Sequence, residues 1–258
     1  MERNTVFKGV GVALVTLFND DLEVDALATA DLATRLVDLG VKAVVVAGTT
    51  GEAAALDPEE RTELLVAVRK AVPEGSDVPL IAGTGAPSAR QAARLTAAAR
   101  DAGADAVLAL SPPGAPDPRP YYEFVTKAAG DLPVLAYHFP RASSPGIPAA
   151  ALADLPVAGL KDSSGEASRL LQTLGTWDRA VYCGSAALTT LAGAVGCAGS
   201  ILALANAEPE ACSAAFAGDA ATQVRLAKAI AACEASFPSG IKGLVGTRFG
   251  CSTRARLG

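Results

Sequence analysis

The sequence predicts an α/β protein, a single (β/α)8 TIM barrel with a short C-terminal helical extension, and three observations support this. The chain has 258 residues, a length typical of one such barrel. Half of the residues are hydrophobic and 19% are charged, so a large core can be covered. Short apolar runs also alternate with longer segments that have helical features, which is typical of parallel strands joined by crossover helices.

Eight apolar runs, separated by roughly the length of one βα unit, are the predicted strands. They are VGVALVTLF (10–18), KAVVVAG (42–48), VPLIAG (78–83), DAVLAL (105–110), LPVLAY (132–137), PVAGLK (156–161), RAVYCG (179–184) and GSILALA (199–205). Helix starts are indicated between them, as at Asp57-Pro58-Glu59-Glu60, which offers an N-cap, a proline and two acids. An open doubly wound sheet is the alternative, but Thr16-Leu17-Phe18-Asn19 lacks the glycine-rich turn that usually follows its first strand.

We expect one domain, with residues 1–206 forming the barrel core. Residues 207–258 are predicted to supply the last barrel helix, a shortened C-terminal helical extension and a tail. Within this part, residues 207–236 indicate two helices, and a glycine-rich end follows. The basic residues of that end, Arg248, Arg254 and Arg256, are interpreted as a solvated tail.

Composition argues against several classes of partner. The net charge is −5 and no Lys/Arg cluster is present, so we expect neither a nucleic-acid nor a membrane partner. The first apolar run is too short to span a bilayer and lacks the basic region of a signal peptide. The five cysteines have no C-x-x-C spacing, which predicts a reduced, cytoplasmic protein without disulfides or a zinc site.

Barrel active sites lie at the carboxyl ends of the strands, and three predicted strands end in reactive groups. Strand 2 ends in Gly48-Thr49-Thr50-Gly51-Glu52, strand 5 in Tyr137 and strand 6 in Lys161. Strand alternation puts Lys161 on the same face as Gly159. If that face lines the barrel, burial lowers the pKa of the amine from about 10.4 and leaves a nucleophile for a carbonyl. The alternative is a lysine that reaches solvent or pairs with Asp162.

Other groups near these strand ends have simpler interpretations. Tyr137 could move protons beside the lysine, or could simply pack. The main-chain N–H groups and hydroxyls of Gly48-Thr49-Thr50-Gly51 could hold a small carboxylate, or the segment could be a plain turn. His138, the only histidine, is predicted to point toward the helices as a hydrogen-bonded structural residue. Glu52 and Asp162 are predicted to orient neighbours.

The order of four motifs resembles the dihydrodipicolinate synthase and N-acetylneuraminate lyase family. The motifs are VALVT, GTTGE, Tyr137-His138-Phe139-Pro140 and Gly159-Leu160-Lys161-Asp162, and the similarity runs from Val10 to about Asn206. The resemblance implies that pyruvate, or a 2-oxo acid that releases it, forms an imine on Lys161. Thr49 and Thr50 would hold its carboxylate and Tyr137 would relay protons. The enamine would then attack an aldehyde, or the reverse cleavage would occur. It also implies no metal or organic cofactor and a homo-oligomer, either a dimer or a tetramer.

The chain departs from this family at three places. The synthases carry Pro-Tyr-Tyr after strand 4, where this chain has Ser111-Pro112-Pro113-Gly114, and its Tyr121 and Tyr122 come later in a predicted helix. Arg141 follows Pro140 directly, whereas the synthases place their arginine one residue later. Gly184 and Ile201 mark an apolar end of the pocket where sugar-acid lyases carry acidic residues. With Gly48, Arg141, Gly184 and Ile201 as further candidate substrate contacts, we expect a small or less polar aldehyde.

Four functions remain open from the sequence. The first is a pyruvate-dependent class I aldolase or lyase, and the second is a genuine 4-hydroxy-tetrahydrodipicolinate synthase with an altered proton relay. The third is a barrel that binds a 2-oxo acid without turning it over. The fourth is a phosphate-handling barrel, based on Gly184-Ser185 and Gly199-Ser200 as the ends of strands 7 and 8.

Overall fold

The computed structural model describes residues 5–73 and 75–257, and these form a closed barrel of eight parallel strands. Each strand pairs with its neighbours in chain order, and β8 pairs with β1 to close the sheet. The strands are β1 (Gly9–Ala13), β2 (Val44–Val46), β3 (Leu80–Gly83), β4 (Ala106–Leu110), β5 (Val134–His138), β6 (Gly159–Asp162), β7 (Ala180–Cys183) and β8 (Gly199–Leu202). The closed sheet confirms the predicted (β/α)8 barrel. Its strands are parallel because crossover connections cover them and bury both of their faces.

The first and last predicted strands are too long at their carboxyl ends. The run 10–18 leaves the sheet after Ala13, and the run 199–205 leaves it after Leu202 and forms a 3-10 turn at Leu204–Asn206. The Asn206 side chain explains the early end, because it accepts from the Val15 N–H at 3.0 Å and donates to the Ala13 carbonyl at 2.7 Å. Both apolar runs therefore continue as buried loops at the barrel mouth.

Helices cover the outside of the barrel. They are α1 (Ala26–Asp38), α2 (Pro58–Ala71), α3 (Ala89–Asp101), α4 (Arg119–Ala129), α5 (Ala167–Thr176), α6 (Thr189–Ala194), α7 (Pro209–Phe216), α8 (Ala220–Arg225), α9 (Ala227–Ala235) and α10 (Ser239–Phe249). The predicted start of α2 is confirmed, with Pro58 in its first turn and Glu60 accepting from the Asp57 N–H at 2.9 Å. The connection from β5 to β6 differs from the prediction, because it contains a 3-10 segment at Ala149–Asp154 in place of an α-helix.

Two apolar layers make up the core. One lies between the strands and the helices, and the other fills the barrel itself with side chains that include Leu135, Tyr137 and Ile201. Tyr182 closes the interior at the amino end of the strands, where its ring stacks on Phe7 and its hydroxyl donates to the Phe7 carbonyl at 3.1 Å. The interior is therefore packed below the mouth, as is usual in this fold.

The C-terminal part contains more helix than expected. Residues 207–236 form three short helices, α7 to α9, where two were predicted, and the glycine-rich end forms α10. The predicted boundary after residue 206 coincides with the end of the Leu204–Asn206 turn, and the division into two units stays a prediction. Residues 1–4, 74 and 258 of those units lie outside the described residues.

The interpretation of the basic end as a solvated tail is wrong. Arg256 makes two hydrogen bonds of 2.7 Å to Glu60, and its side chain is only 19% exposed. Arg248 donates to Glu210 at 2.7 Å and to the Ala207 carbonyl at 2.6 Å. Arg254 alone among these three arginines keeps a mostly exposed side chain. The basic side chains have acidic and carbonyl partners on the barrel, so the segment packs against it.

The cysteines form no disulfide among the described residues, and no group of His, Cys, Asp and Glu there could hold a metal ion. Nor does the described part contain a helix with the length and apolar character needed to cross a bilayer.

Candidate active site

Lys161 and Tyr137 lie side by side inside the barrel wall. They are register partners on β6 and β5, and they are 5% and 4% exposed. The Lys161 Nζ lies 4.3 Å from the centroid of the Tyr137 ring. Asp162 does not pair with this lysine, because it forms an ion pair of 3.2 Å with Arg169. The alternative of a lysine that reaches solvent or pairs with Asp162 is therefore wrong.

Gly184 leaves room for the end of the lysine side chain. A Cβ built at Gly184 would collide with the Ser163 hydroxyl and would lie 3.1 Å from the Lys161 Cε. Ser163 thus sits beside the lysine, and the sequence reasoning missed it. Strand alternation could have found it, because residues 159 and 161 share one face of β6 and residue 163, just after the strand, continues the same spacing.

The loop from Gly48 to Glu52 is held in a strained backbone conformation above the strands. Ala47 directly precedes the loop and Glu52 is its last residue, and their φ values of 53° and 57° lie in a region that non-glycine residues rarely adopt. The Thr16 hydroxyl donates to the Gly51 carbonyl at 2.7 Å. Such strain persists only where surrounding contacts enforce it, so the loop is a preformed feature of the mouth. Thr16 belongs to the VALVT motif, but no local pattern in the sequence indicates this contact.

The predicted loop residues lie at different depths. Gly48 and Thr49 line a cavity together with Tyr137. Thr50 is 5% exposed, next to them in the chain. Gly48, Thr49 and Tyr137 are therefore brought to one space, and Lys161 lies against the face of that tyrosine.

The cavity has a volume of about 1060 Å³, which is ample for a small-molecule substrate. It opens from the barrel mouth and extends between α2 and α3. Its lining is mostly apolar, and its charged members are Glu59, Arg61 and Arg94. Burial lowers the pKa of Arg61, and its guanidinium donates to the Ala53 and Gly85 carbonyls. Ser111 and Pro113 form part of the wall at the place where the resembling synthases carry tyrosines.

Tyr121 and Tyr122 do not replace those tyrosines. Both are buried on α4, as the sequence predicted for their helix. The Tyr122 hydroxyl donates to the Ala109 carbonyl at 3.0 Å and accepts from the Tyr137 N–H at 3.3 Å. Burial raises the pKa of Tyr122 well above 10 and that of Tyr121 to about 12. Tyr122 therefore braces the strand that carries Tyr137.

His138 is a structural residue, as predicted. Its Nδ1 accepts from the Ile147 N–H at 2.9 Å, and Arg169 donates to the Ile147 carbonyl at 2.7 Å. Burial lowers the pKa of His138 to about 4, and the nearby Arg169 charge adds to the effect. The neutral imidazole thus anchors the loop after β5.

Glu52 and Asp162 orient their neighbours, which confirms that prediction. Asp162 accepts from the Ser164 N–H at 2.8 Å. Glu52 is fully buried, pairs with the equally buried Lys242 and accepts from the Arg256 and Leu257 N–H groups. The pairing of Glu52 with α10 had no local signal in the sequence.

Lys161, Thr50 and Gly184 are not among the described residues that line the cavity, although Lys161 contacts its lining residue Tyr137. Three further predictions also lie away from the cavity. Arg141 is exposed and does not line the cavity formed by the described residues. Ile201 is fully buried in the barrel interior opposite Gly11, in the middle of β1. Gly199 and Ser200 begin β8 and do not end it. Phosphate sites of barrel enzymes form at the carboxyl ends of the strands, so the predicted phosphate site at these two residues is wrong.

The candidate residues Lys161 and Tyr137 lie toward the carboxyl ends of β6 and β5 in a (β/α)8 barrel, where enzymes of this fold class have their active sites. The sequence profile of the dihydrodipicolinate synthetase family matches residues 6–240, and the chain belongs to this family. It is a carbon–carbon lyase of that family.

Relatives and solved structures agree with this assignment. The chain is 39% identical over 210 residues to an uncharacterized DapA-like lyase of Halobacterium salinarum, covering 78% of this chain and 68% of the relative. It is 33% identical over 216 residues to the 4-hydroxy-tetrahydrodipicolinate synthase of Methanothrix thermoacetophila, covering 80% and 72%. A prophage protein of the dihydrodipicolinic acid synthase family from E. coli K12, solved in complex with pyruvate, is similar with a TM-score of 0.87 and 25% identity, covering 97% and 92%.

Proposed function

We propose that the protein is a pyruvate-dependent class I aldolase or lyase that acts through a Schiff base on Lys161. The observation that carries this proposal is the buried Lys161 amine against the Tyr137 ring, beside Gly184, where any side chain would crowd the lysine stem. A similar structure in complex with pyruvate supports the choice of 2-oxo acid. The oligomer of two or four copies predicted from the sequence is part of the same proposal.

The proposed reaction uses each group at a stated atom. The neutral Lys161 Nζ attacks the ketone carbon of pyruvate, and loss of water gives a protonated imine. Loss of a methyl proton then gives an enamine, whose carbon attacks the carbonyl carbon of an aldehyde. Hydrolysis of the new imine releases the product and restores the lysine. Tyr137 moves the protons, and Gly48, Thr49 and Thr50 bind the carboxylate.

A genuine synthase reaction is the second candidate, since similar relatives are named 4-hydroxy-tetrahydrodipicolinate synthase. Ser111 and Pro113 at the wall and the exposed Arg141 count against a tightly held second carboxylate. Turnover with a panel of aldehydes, with and without a carboxylate, separates the two candidates. Imine formation without turnover of any aldehyde would favour the binding protein that the sequence left open.

The test of the proposal is borohydride reduction in the presence of pyruvate, followed by intact mass and peptide mapping. We expect one reduced pyruvate adduct per chain, on Lys161. Lys161→Ala should lose the adduct and keep the fold, whereas Lys127→Ala, which removes an exposed lysine of α4, should keep both. A folded wild-type protein without an adduct, or an adduct that persists in Lys161→Ala, would overturn the proposal.

A further inference from the structure

The C-terminal segment, residues 250–257, crosses the outside of the Gly48–Glu52 loop. The main-chain N–H groups of Arg256 and Leu257 both donate to the Glu52 Oε2, at 2.8 and 2.7 Å. Leu257 also lines the cavity together with Thr49. The segment therefore contacts the loop directly and reaches the same cavity as the proposed carboxylate-binding residues.

The second carboxylate oxygen of Glu52 pairs with Lys242 on α10. Both side chains are fully buried. The Lys242 Nζ also donates to the Arg254 carbonyl at 2.6 Å and lies 4.2 Å from the centroid of the Phe18 ring. A buried carboxylate is tolerated only when it is paired and hydrogen-bonded. The segment and α10 supply these partners to Glu52.

The Arg256 side chain fastens the segment on the other side of the loop. Its guanidinium donates to both carboxylate oxygens of Glu60 at 2.7 Å and to the Ala55 carbonyl at 2.9 Å. It also donates to the Leu22 carbonyl at 2.8 Å. A bidentate guanidinium–carboxylate pair fixes orientation as well as distance. Arg256 thus ties the segment to the turn that follows the loop and to the first turn of α2.

We propose that Glu52, Lys242 and Arg256 are positioning residues, through which the C-terminal segment holds the Gly48–Glu52 loop in its binding conformation. The inference rests on the proposed function, in which Gly48, Thr49 and Thr50 bind the carboxylate of the 2-oxo acid. Glu52 has a φ of 57°, and such a conformation relaxes when its contacts are removed. Release of the segment therefore weakens 2-oxo acid binding, whereas Lys161 on β6 keeps its place.

The experiment compares two arginines of the same segment. Arg256→Ala removes the contacts to Glu60, whereas Arg254→Ala removes a mostly exposed side chain that pairs with Asp20 and keeps the carbonyl that Lys242 uses. For Arg256→Ala, we expect the pyruvate concentration that gives half-maximal borohydride trapping to rise about tenfold, with unchanged trapping at saturation. For Arg254→Ala, both values should stay at the wild-type level.

A second variant covers the case in which Arg256→Ala does not fold. Glu60→Gln keeps an acceptor for the Asp57 N–H and weakens the ion pair with Arg256, so we expect a smaller rise in the same direction. A purely structural role would lower the melting temperature and the amplitude of trapping without moving the half-saturation point. An unchanged half-saturation point in the folded variants, with wild type trapped on Lys161, would refute this inference alone. No adduct in wild type would refute the proposed function and this inference with it.

Discussion

At the scale of single residues, the candidate active site depends on the groups that surround the Lys161 amine. Lys161 is buried, faces the ring of Tyr137 and is bordered by Gly184 and Ser163. Asp162, the next residue in the chain, forms an ion pair with Arg169. Because the adjacent carboxylate already has a partner, the lysine remains available for the chemistry proposed above.

His138 makes the folded protein sensitive to pH. Its pKa falls from 6.5 to about 4, mainly because burial penalises the charged imidazolium. The unfolded chain takes up this proton near pH 6.5, and the folded chain does so only near pH 4. The contribution of the neutral imidazole to stability is therefore complete above pH 6.5 and is lost progressively down to about pH 4. We expect the free energy of unfolding in urea to fall across this window.

The matched variant is His138→Gln, which can still accept from the Ile147 N–H but cannot take up a proton. Its free energy of unfolding should fall less steeply between pH 6.5 and 4 than that of wild type, because the remaining slope comes from carboxyl groups alone. Equal slopes in the two proteins would contradict the structural role assigned to the neutral His138.

At the scale of elements, the mouth depends on close approach between strand ends. Gly51 packs against the Leu14 carbonyl, so that a Cβ there would lie 2.9 Å from that oxygen. At Gly184, after β7, the neighbours are Lys161 on the adjacent strand β6 and Ser163 just after that strand. These two glycines are needed because they have no side chain, which allows each loop to approach its neighbour closely. Their backbone conformation does not itself require glycine.

Gly184→Ala should therefore damage the site more than the fold. The added methyl group would push on Ser163 and on the Lys161 stem, and we expect imine formation with pyruvate to slow by about 10²-fold. The accompanying loss of stability should be about 1–3 kcal/mol, as for other overpacked sites. The rate of borohydride trapping and a urea titration measure the two effects.

Gly175→Ala is the matched control, since this glycine lies in α5 and a Cβ there meets nothing within 4 Å. It should leave trapping unchanged and stabilise the helix by up to about 1 kcal/mol. A wild-type trapping rate in Gly184→Ala would show that the lysine does not depend on this gap.

At the scale of the whole molecule, the barrel is closed by β1 and β8. Gly9 pairs with Gly199, where a Cβ would collide with the Gly9 carbonyl, and Asn206 joins the loops that leave the two strands. The Asn206 side chain is fully buried and contacts residues more than 190 positions away along the chain. The Asn206 side chain therefore contributes both to closure of the sheet and to the shape of the mouth.

Asn206→Ala should weaken this closure. It leaves the Val15 N–H and the Ala13 carbonyl buried without their partner, and each such loss costs about 1–3 kcal/mol. We expect a corresponding fall in the free energy of unfolding in urea. Asn19→Ala is the control, because its exposed side chain accepts from the nearby N–H groups of Asp21 and Glu23, and its effect should stay within about 0.5 kcal/mol. Equal effects of the two variants would exclude a closing role for Asn206.

The sequence by itself determined the barrel and the position of its mouth. Strand alternation and helix capping are local patterns, so eight runs with intervening helices could be recognised, and the strand ends identified Lys161, Tyr137 and the Gly48–Glu52 loop. The tertiary structure decided the rest: the contact of Ser163 with Gly184, the burial of Tyr122 against β5, and the docking of residues 250–257 on Glu52. These contacts join residues that lie from 15 to 205 positions apart in the chain. No local periodicity encodes them, because they form only when the sheet closes and brings distant backbone into reach.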